Sequence, residues 1–219
     1  MERILGVVES GPGRHGHQVI VDPASTPGSQ IYKLLIGSVV PRPIAFVSTV
    51  SPDGALNLAP FSFFNAICAE PPLICFSTSY REPRKDTYVN IQATSEFVVN
   101  IVGEEIAGQM NLSSGDYPYG VDEFEISGLT PIPSDLIRPP RVLESQVSME
   151  CRLIQILDLS TRPRGASLII GEVVRFHVDD RVVDKNFHID PDKLKAVGRM
   201  GGNSYCRTRD RFEMIRPKV

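Results

Sequence analysis

The strictest constraint on the fold is an alternation of apolar and polar side chains that begins at Val147. One face of this run carries Val147, Met149, Cys151, Leu153 and Leu157, and the other carries Ser148, Glu150 and Arg152. A period of two belongs to a β-strand with one buried face, because helical side chains repeat about every 3.6 residues. A second apolar run, Leu168–Val178, follows a loop at Ser160–Gly165. Together the runs predict a long antiparallel hairpin.

Shorter strands are predicted where apolar runs are bounded by Pro, Gly or Asp. These runs are Ile4–Val8, Gln18–Asp22, Ile44–Val50, Leu56–Ala59, Leu73–Phe76 and Glu96–Val102. Helices are predicted at Ser29–Ile36, Asp86–Thr94 and Glu104–Leu112, with a helical turn from Asp190. Strands and helices do not alternate regularly, so a doubly wound parallel sheet is not expected. We predict a mainly β fold, a closed antiparallel β-barrel with inserted helices.

The loop Ser10–His17 contains Gly11-x-Gly13-x-x-Gly16, which has the spacing of a dinucleotide-binding loop. That loop must open a helix, whereas here Pro12 lies in the turn and the residues after Gly16 are strand-like. A plain hairpin loop is therefore predicted.

Composition argues against several classes of partner and site. The net charge is −3 without a large basic block, so nucleic acid is not an expected partner. No apolar run approaches the roughly 18 residues of a membrane span, and the N-terminus lacks a signal-peptide pattern, which favours a cytoplasmic protein. The four cysteines form no CxxC pair. The four histidines show no metal-ligand spacing beyond His15 and His17, so no metal site is predicted.

The run Arg84–Asn90 has the composition of a phosphate-binding segment. It follows the hydroxyl cluster Ser77–Ser79 and places two cations at a predicted helix start, where backbone N–H groups and the helix dipole attract anions. Read alone, the same residues favour a solvated first turn with Asp86 as an ordinary cap.

Two other segments supply hydroxyls, amides and aromatic rings: Ala45–Thr49 and Asn57–Asn65. A Ser-His-acid triad is not expected, because no histidine lies between His17 and His177. Paired carboxylates for glycoside chemistry are not evident either. The residues instead suit a planar heterocycle with polar edges and a phosphate tail.

Several motifs along the chain resemble those of a known family. The matching motifs are Pro41-Arg42-Pro43-Ile44-Ala45, Val47-Ser48-Thr49, Gly54, Asn57-x-Ala59-Pro60-x-Ser62-x-Phe64-Asn65, Pro71-Pro72, Lys85-Asp86-Thr87-x-x-Asn90-Ile91, Glu96-Phe97-Val98-Val99-Asn100, His188-Ile189-Asp190 and Gly198-Arg199-Met200-Gly201-Gly202-x-x-Tyr205. In this order and spacing they resemble the flavin reductase-like family, whose fold is a split antiparallel β-barrel of FMN-binding type (flavoredoxin-like).

The resemblance implies one domain over residues 1–219, with a core at about 29–206 and an N-terminal extension at 1–28. It implies a homodimer with one FMN per subunit near the interface. The expected cofactor contacts are Ser48, Thr49 and the loop Ser62, Phe63, Phe64 and Asn65 at the ring, and Ser77, Arg84, Lys85 and Thr87 at the phosphate and ribityl chain. Asn90 is a further candidate. The role of Ser113–Pro140 stays open, as a lid or a dimer arm.

The implied activity is that of an FMN-binding oxidoreductase that takes hydride from NADH or NADPH. The protein need not supply an acid or a base, so no catalytic residue is predicted. A partner oxygenase or another acceptor would receive the electrons. The alternatives are a non-catalytic FMN-binding electron carrier, a pyridoxamine-phosphate-oxidase-like enzyme, and a purely structural domain.

Several of these residues have a second, structural interpretation. Phe61 and Phe63 suit core packing as well as ligand contact. Hydroxyls such as those of Ser48 and Thr49 often bond to neighbouring backbone. Asn90 could brace its loop or reach the ligand. Arg42 and Arg199 are candidate contacts of the second substrate, with surface ion pairs as the alternative.

Overall fold

The computed structural model describes residues 7–9 and 19–218. The strands are β1 Val7–Glu9, β2 Val19–Val21, β3 Ala45–Val50, β4 Leu56–Phe61, β5 Phe64–Ala69, β6 Pro72–Ser79, β7 Glu96–Ile101, β8 Pro131–Ile132, β9 Arg141–Val142, β10 Val147–Asp158, β11 Ala166–Val178, β12 Val197–Arg199 and β13 Tyr205–Arg207. The helices are α1 Gly28–Ser38, α2 Asp86–Thr94, α3 Ala107–Leu112, α4 Glu123–Ser127 and α5 Pro191–Leu194, with a 3₁₀ turn at Glu104–Ile106.

Seven strands form one antiparallel sheet in the order β4-β3-β7-β10-β11-β6-β5. Its two edge strands, β4 and β5, are consecutive in sequence and joined only by Ser62 and Phe63. In a flat sheet these edges would lie about 29 Å apart, whereas such a link spans at most about 11 Å. The sheet must therefore curl until its edges approach each other. The result is a barrel with an unpaired seam between β4 and β5.

The barrel interior is filled by apolar side chains from every strand of the sheet. Phe76 lies at its centre, with ring centroids 5.0 Å from Phe61 and 5.6 Å from Phe97. Ile91 of α2 joins the same cluster. Because aromatic rings fill much of this volume, the interior is a packed core and any ligand must lie outside it.

A second apolar cluster lies on the outer face of the sheet. It joins Phe46 of β3 and Leu58 of β4 to Met110 of α3 and Phe124 of α4. Since both faces of β3 are covered, all six of its residues are buried. The segment 113–140 supplies much of this cover, so we describe it as a packed layer over the sheet.

Buried polar groups fasten this layer. Asn100 of β7 accepts the Val142 N–H through its side-chain oxygen, at 3.0 Å. The fully buried Glu150 accepts the N–H groups of Asp135 at 2.7 Å and Leu136 at 2.8 Å, and His177 Nε2 lies 2.6 Å from it. Burial alone would raise the pKa of Glu150, but these bonds hold it below its usual value. Asp135, Glu150 and His177 place ligand-type atoms within 4.8 Å of one another, and the hydrogen bonds account for that grouping.

Most predicted elements are confirmed. The long hairpin β10–β11, the pairing of β3 with β4 and the bounds of α2 match the sequence expectation. The expectation that β10 has one buried face is not met, because Ser148 and Glu150 are buried beneath the layer on the outer face of the sheet. The strands expected at Ile4–Val8 and Gln18–Asp22 appear as the pair β1–β2, while the loop with Gly11, Gly13 and Gly16 lies outside the described residues. The single-domain boundaries stay a prediction.

Three predictions of local structure were wrong. β4 continues through Pro60 to Phe61, because an edge strand tolerates a residue without an N–H. Phe64 and Asn65 belong to β5 and not to a loop. The helix predicted at 104–112 begins as a 3₁₀ turn, in which the Ile106 N–H bonds to the Gly103 carbonyl.

Gly171→Ala should destabilise the barrel. A Cβ at Gly171 would overlap Cζ of the fully buried Phe97 and lie 2.8 Å from its Cε1. We expect the free energy of unfolding to fall by about 1–3 kcal/mol, measured by chemical denaturation.

The matched control is Gly108→Ala in α3, where a Cβ meets nothing within 4 Å. This change should stabilise the protein slightly, since Ala favours helix over Gly. If both variants unfold like the parent, the packing around Phe97 is looser than described.

Candidate functional site

Three cavities adjoin one another at the seam of the barrel, and all three are lined by Pro60 of β4. The largest, which we call the main cleft, has a volume of about 660 Å³. That lies within the range of about 300–1,000 Å³ that is usual for small-molecule sites. The seam is thus both the place where the sheet fails to close and the place where a ligand can enter.

The walls of the main cleft come from four parts of the chain. Helix α1 contributes Ile31, Tyr32 and Leu35, and the seam contributes Phe61, Ser62 and Phe63. β6 and the segment after it contribute Ser77, Ser79 and Lys85, and the hairpin loop contributes residues 160 and 162–166. The Ser77 N–H donates to the Phe63 carbonyl at 2.9 Å, which ties β6 to the seam.

Lys85 lies between the main cleft and a smaller neighbouring pocket that also contains Thr87 and Glu123. Burial lowers the pKa of the Lys85 amine, and the positive charge of Arg81 acts in the same direction. Arg81 is itself paired with Asp116, while Lys85 has no carboxylate within 4.0 Å among the described residues. A desolvated amine without a protein counter-ion suits an anionic ligand.

Glu123 is a buried carboxyl on the wall of this smaller pocket. Its Oε2 accepts the Leu58 N–H at 2.9 Å. The pKa of Glu123 is raised to about 7, mainly by burial, and the charges of Asp86 and Asp122 act in the same direction. The pocket therefore contains a proton-binding group that titrates near neutrality.

The structure places Thr49, Thr87 and Asn90 in one buried hydrogen-bond network. The Asn57 side-chain amide donates to the hydroxyls of Thr49 and Thr87, each at 3.0 Å, and the Asn90 amide donates to Thr49 at 3.0 Å. Asn90 Oδ1 has no partner within the described part of the chain. The network joins β3, β4 and α2. Thr49, Thr87 and Asn90 were all predicted to contact the cofactor, but only Thr87 lines one of the three cavities.

Ser48 lies on the outer face of β3, away from the main cleft. Its hydroxyl donates to the Pro140 carbonyl and accepts from the Asn100 amide. The backbone of β3 pairs with β4 along its length and with β7 from Ala45 to Ser48. The geometry therefore supports the structural interpretation for Ser48 and Thr49, and their cofactor contact has no support from their positions.

Arg84 is committed to protein groups. Its guanidinium lies 3.7 Å from the ring centroid of Tyr88 and 4.8 Å from that of Tyr80. It also donates to Asp158 at 3.1 Å and to Ser167. Arg84 lines none of the three cavities, so the phosphate contact predicted for it has no support from its position.

Of the other residues singled out in the sequence, some line the main cleft and others have structural roles. Phe63 is 43% exposed and lines the main cleft, whereas Phe64 packs on the barrel core. Asn65 is exposed on β5 and lies on none of the cavities described above. Asp86 is not the cap of α2: it is the first helical residue, and its carboxylate accepts the Gly120 N–H at 3.2 Å.

Arg42 binds backbone and forms no ion pair among the described residues. It is buried and donates to the carbonyls of Ile36 at 2.7 Å, Val39 at 2.6 Å and Met200 at 2.9 Å. It thus fastens the end of α1 to the hairpin β12–β13. Arg199 rests on the Tyr205 ring at 4.4 Å. Arg42 and Arg199 both line the third cavity, so both remain candidate substrate contacts.

Sequence reasoning missed Tyr32, Glu123, Arg162 and Arg164. Tyr32 and Glu123 reach the site from segments distant in sequence, and no local motif marks them. The pair Arg162-x-Arg164 within the predicted hairpin loop was a visible signal, because two cations close together on a loop create a positive potential that attracts anions.

The residues of the main cleft fit a flavin mononucleotide. The chemistry of the donors is appropriate: hydroxyls at Ser62, Ser77 and Ser79, a desolvated ammonium at Lys85, and the exposed ring of Phe63. Of the described residues that line the cleft, none is acidic. A planar ring with polar edges and a phosphate tail would meet complementary groups there.

Comparison with known proteins gives a consistent result. The family model "flavin reductase like domain" matches residues 36–198. The fold is similar to nitrilotriacetate monooxygenase component B from Bacillus cereus (TM-score 0.87, 37% identity, 91% of this chain and 100% of that chain). It is also similar to Pseudomonas fluorescens 2-nitrobenzoate 2-nitroreductase NbaA (TM-score 0.82, 35% identity, 90% and 96%).

A protein with a split barrel domain from Shewanella frigidimarina NCIMB 400 is similar as well (TM-score 0.78, 25% identity, 89% of this chain and 96% of that chain). The predicted fold, a mainly β split antiparallel barrel, is thereby confirmed. No helix in the described ranges is long and apolar enough to cross a membrane.

Glu123→Gln should change how stability depends on pH. Because the pKa of Glu123 is raised to about 7 in the folded protein, the native state binds more protons than the unfolded state between about pH 4.5 and 7. Stability therefore falls as pH rises through this window, and Gln removes that loss. We expect the free energy of unfolding of the variant, relative to that of the parent, to be up to about 3 kcal/mol higher at pH 8 than at pH 5, as measured by chemical denaturation.

Glu125→Gln is the control, since Glu125 is exposed on the same helix. Its stability should follow that of the parent at both pH values. If the free energy of unfolding changed with pH in the same way for Glu123→Gln and for the parent, Glu123 would be ionised in the native state at pH 5.

Proposed function

Since the chain belongs to the flavin reductase-like family, we propose that it binds FMN in the main cleft and catalyses hydride transfer from NADH or NADPH to the flavin. Family and neighbours support a flavin cofactor and flavin-related oxidoreductase chemistry. The observation that carries the finer proposal is the lining of the cleft. It combines serine hydroxyls, an exposed aromatic ring and the half-buried ammonium group of Lys85. None of the described lining residues carries a carboxylate.

Lys85 is the residue that would hold the phosphate, with the hydroxyls of Ser77 and Ser79 as further donors. Ser62 and Phe63 would hold the ring, the hydroxyl as a hydrogen-bond donor and the aromatic face as an apolar contact. Thr87 keeps Asn57 in place beside Lys85 through its 3.0 Å hydrogen bond.

The redox chemistry would be supplied by bound FMN, which takes the hydride released by NADH or NADPH and passes the electrons to an acceptor. The chain's own residues bind and orient both partners. Ser62 offers a neutral donor where negative charge develops on reduction, and the apolar wall of Ile31, Leu35 and Phe61 limits access of water. This role requires no acid or base from the protein.

The acceptor would be a partner oxygenase. One neighbour of 37% identity is component B of a monooxygenase, which supports a two-component arrangement for this chain. The alternative is an electron carrier that binds FMN but does not oxidise nicotinamide cofactors. An assay of NADH and NADPH oxidation at 340 nm with added FMN separates the two.

A homodimer is part of the proposal. Helix α1 has no buried residue, and Leu34 and Leu35 are 48% and 51% exposed. β5 is an edge strand without a charged side chain, and five of its six residues are exposed. Soluble proteins rarely leave such an edge uncovered. Because α1 is also a wall of the main cleft, a second copy packed on it would lie near the flavin.

Purified protein should bind FMN, and Lys85→Ala should weaken FMN more than riboflavin. The lost contact is with the phosphate, and a charge-assisted hydrogen bond contributes about 1.5–3 kcal/mol, or roughly tenfold or more in affinity. Quenching of flavin fluorescence measures both dissociation constants.

Lys185→Ala serves as the control, because Lys185 is exposed and lies on none of these cavities. It should bind both flavins like the parent. Equal weakening of FMN and riboflavin by Lys85→Ala would remove Lys85 from the phosphate site, and absence of FMN binding by the parent would refute the function itself.

Leu34→Asp should convert the dimer to a monomer. Leu34 lies on the exposed face of α1 but not on the wall of the main cleft, so the change places a charge in the proposed interface without touching the flavin site. Sedimentation velocity should show twice the mass of one chain for the parent and one mass for the variant. Gln92→Asp, an exposed change on α2, should remain dimeric; a monomeric parent would contradict the proposal.

A further inference from the structure

The hairpin loop 160–166 brings two unpaired guanidinium groups to the main cleft. Arg162 and Arg164 both line it, and both are exposed. Neither has a carboxylate within 4.0 Å among the residues that the structure describes. Together with Lys85 they give the described lining three cations and no acid. This balance calls for a ligand with more than one anionic group.

Backbone hydrogen bonds shape the loop. The Tyr80 N–H donates to the Gly165 carbonyl at 2.7 Å, and the Gly165 N–H donates to the Arg162 carbonyl at 2.7 Å. A Cβ at Gly165 would overlap the Ser160 carbonyl, so only glycine fits there. The Arg164 stem lies against α1, with Cδ 3.6 Å from where a Cβ of Gly28 would be. These contacts define the backbone from which the two guanidinium groups project.

We propose that Arg162 and Arg164 bind the 2′-phosphate of NADPH and so make this protein prefer NADPH to NADH. The inference rests on the proposed function, since it assigns a substrate to the same cleft. Two guanidinium groups match a phosphate monoester, which carries nearly two negative charges and three acceptor oxygens.

The absence of acids among the described lining residues is the discriminating observation. In Rossmann-type sites, NADH is selected by an Asp or Glu on the ribose 2′-hydroxyl and NADPH by an arginine at the 2′-phosphate. This chain has no Rossmann unit, and we apply the same charge argument to the cleft. The main cleft has the arginines and, within the described residues, lacks the carboxylate.

The flavin phosphate is the competing ligand for these arginines. Lys85 and Ser77 form a more enclosed anion site in the same cleft, since both are half-buried while Ser79 and both arginines are exposed. A phosphate at the solvent-facing rim belongs to the substrate that enters and leaves in each turnover.

The test compares 2′,5′-ADP with 5′-AMP on FMN-loaded protein by isothermal titration calorimetry. The two probes differ by the 2′-phosphate alone. The parent should bind 2′,5′-ADP at least tenfold more tightly, and the double variant Arg162→Gln/Arg164→Gln should lose that advantage while its affinity for 5′-AMP is unchanged. A double Lys variant, which keeps the charge, should recover part of it.

Kinetics and a matched control complete the design. In the double Gln variant KM for NADPH should rise about tenfold, with kcat and KM for NADH unchanged. Arg152→Gln, on β10 of the same hairpin, exposed and outside the cleft, should behave like the parent. Equal affinity of the parent for the two probes, or a parallel rise of both KM values, would overturn the proposal.

Flavin titrations separate this proposal from the function on which it rests. If the double variant loses affinity for FMN but not for riboflavin, the arginines hold the flavin phosphate and the NADPH assignment is wrong. If the parent binds no FMN, the proposed function fails, while the 2′,5′-ADP titration still reports on the loop. Normal FMN binding without discrimination between the probes refutes this inference alone.

Discussion

The two-residue link between β4 and β5 is the constraint on which the rest of the structure depends. These strands are the two edges of a seven-stranded sheet, and Ser62 and Phe63 hold them together. Curling brings β10 and β11 opposite the seam and directs one face of every strand inward. Since the edges meet without pairing, the same constraint that builds the core leaves an opening beside it. The candidate site is the space at that opening.

The layer 113–140 contacts both the outer face of the sheet and the candidate site. The layer 113–140 is fastened to the sheet by Glu150, which accepts the Asp135 N–H, and by Ser48, which donates to the Pro140 carbonyl. Its helix α4 places Glu123 beside Leu58. Buried charges are costly unless hydrogen bonds satisfy them, and Glu150 receives three such contacts whereas Glu123 receives fewer. This difference explains why the pKa of Glu150 is held low while that of Glu123 is raised. Of these two buried carboxyl groups, Glu123 at the smaller pocket is therefore the one with a pKa near neutrality.

Much of the fold could be predicted from the sequence, because alternation of apolar and polar residues marks a β-strand. It did not reveal that the polar residues Ser148 and Glu150 of β10 are buried as well. The hairpin β10–β11 and helix α2 follow directly from local pattern. The roles of polar residues could not be predicted in the same way. The motif around Arg84 indicates phosphate binding, but Asp158 lies far along the chain, and only the curled sheet brings it to the guanidinium. Ser48 and Thr49 are similar: an alternating pattern cannot reveal that both faces of β3 are covered.

The attachment of α1 has a consequence for how the cleft could open. This helix contributes no residue to either core cluster, and its C-terminal end is secured chiefly by hydrogen bonds from Arg42 to two carbonyls. Elements with little buried apolar surface open locally at a small fraction of the global unfolding free energy. In a single chain, helix α1 is therefore expected to open at a lower free energy than the barrel strands. A second copy packed on α1, as in the proposed dimer, would hold the helix in place, so the stability of this wall of the cleft would depend on assembly.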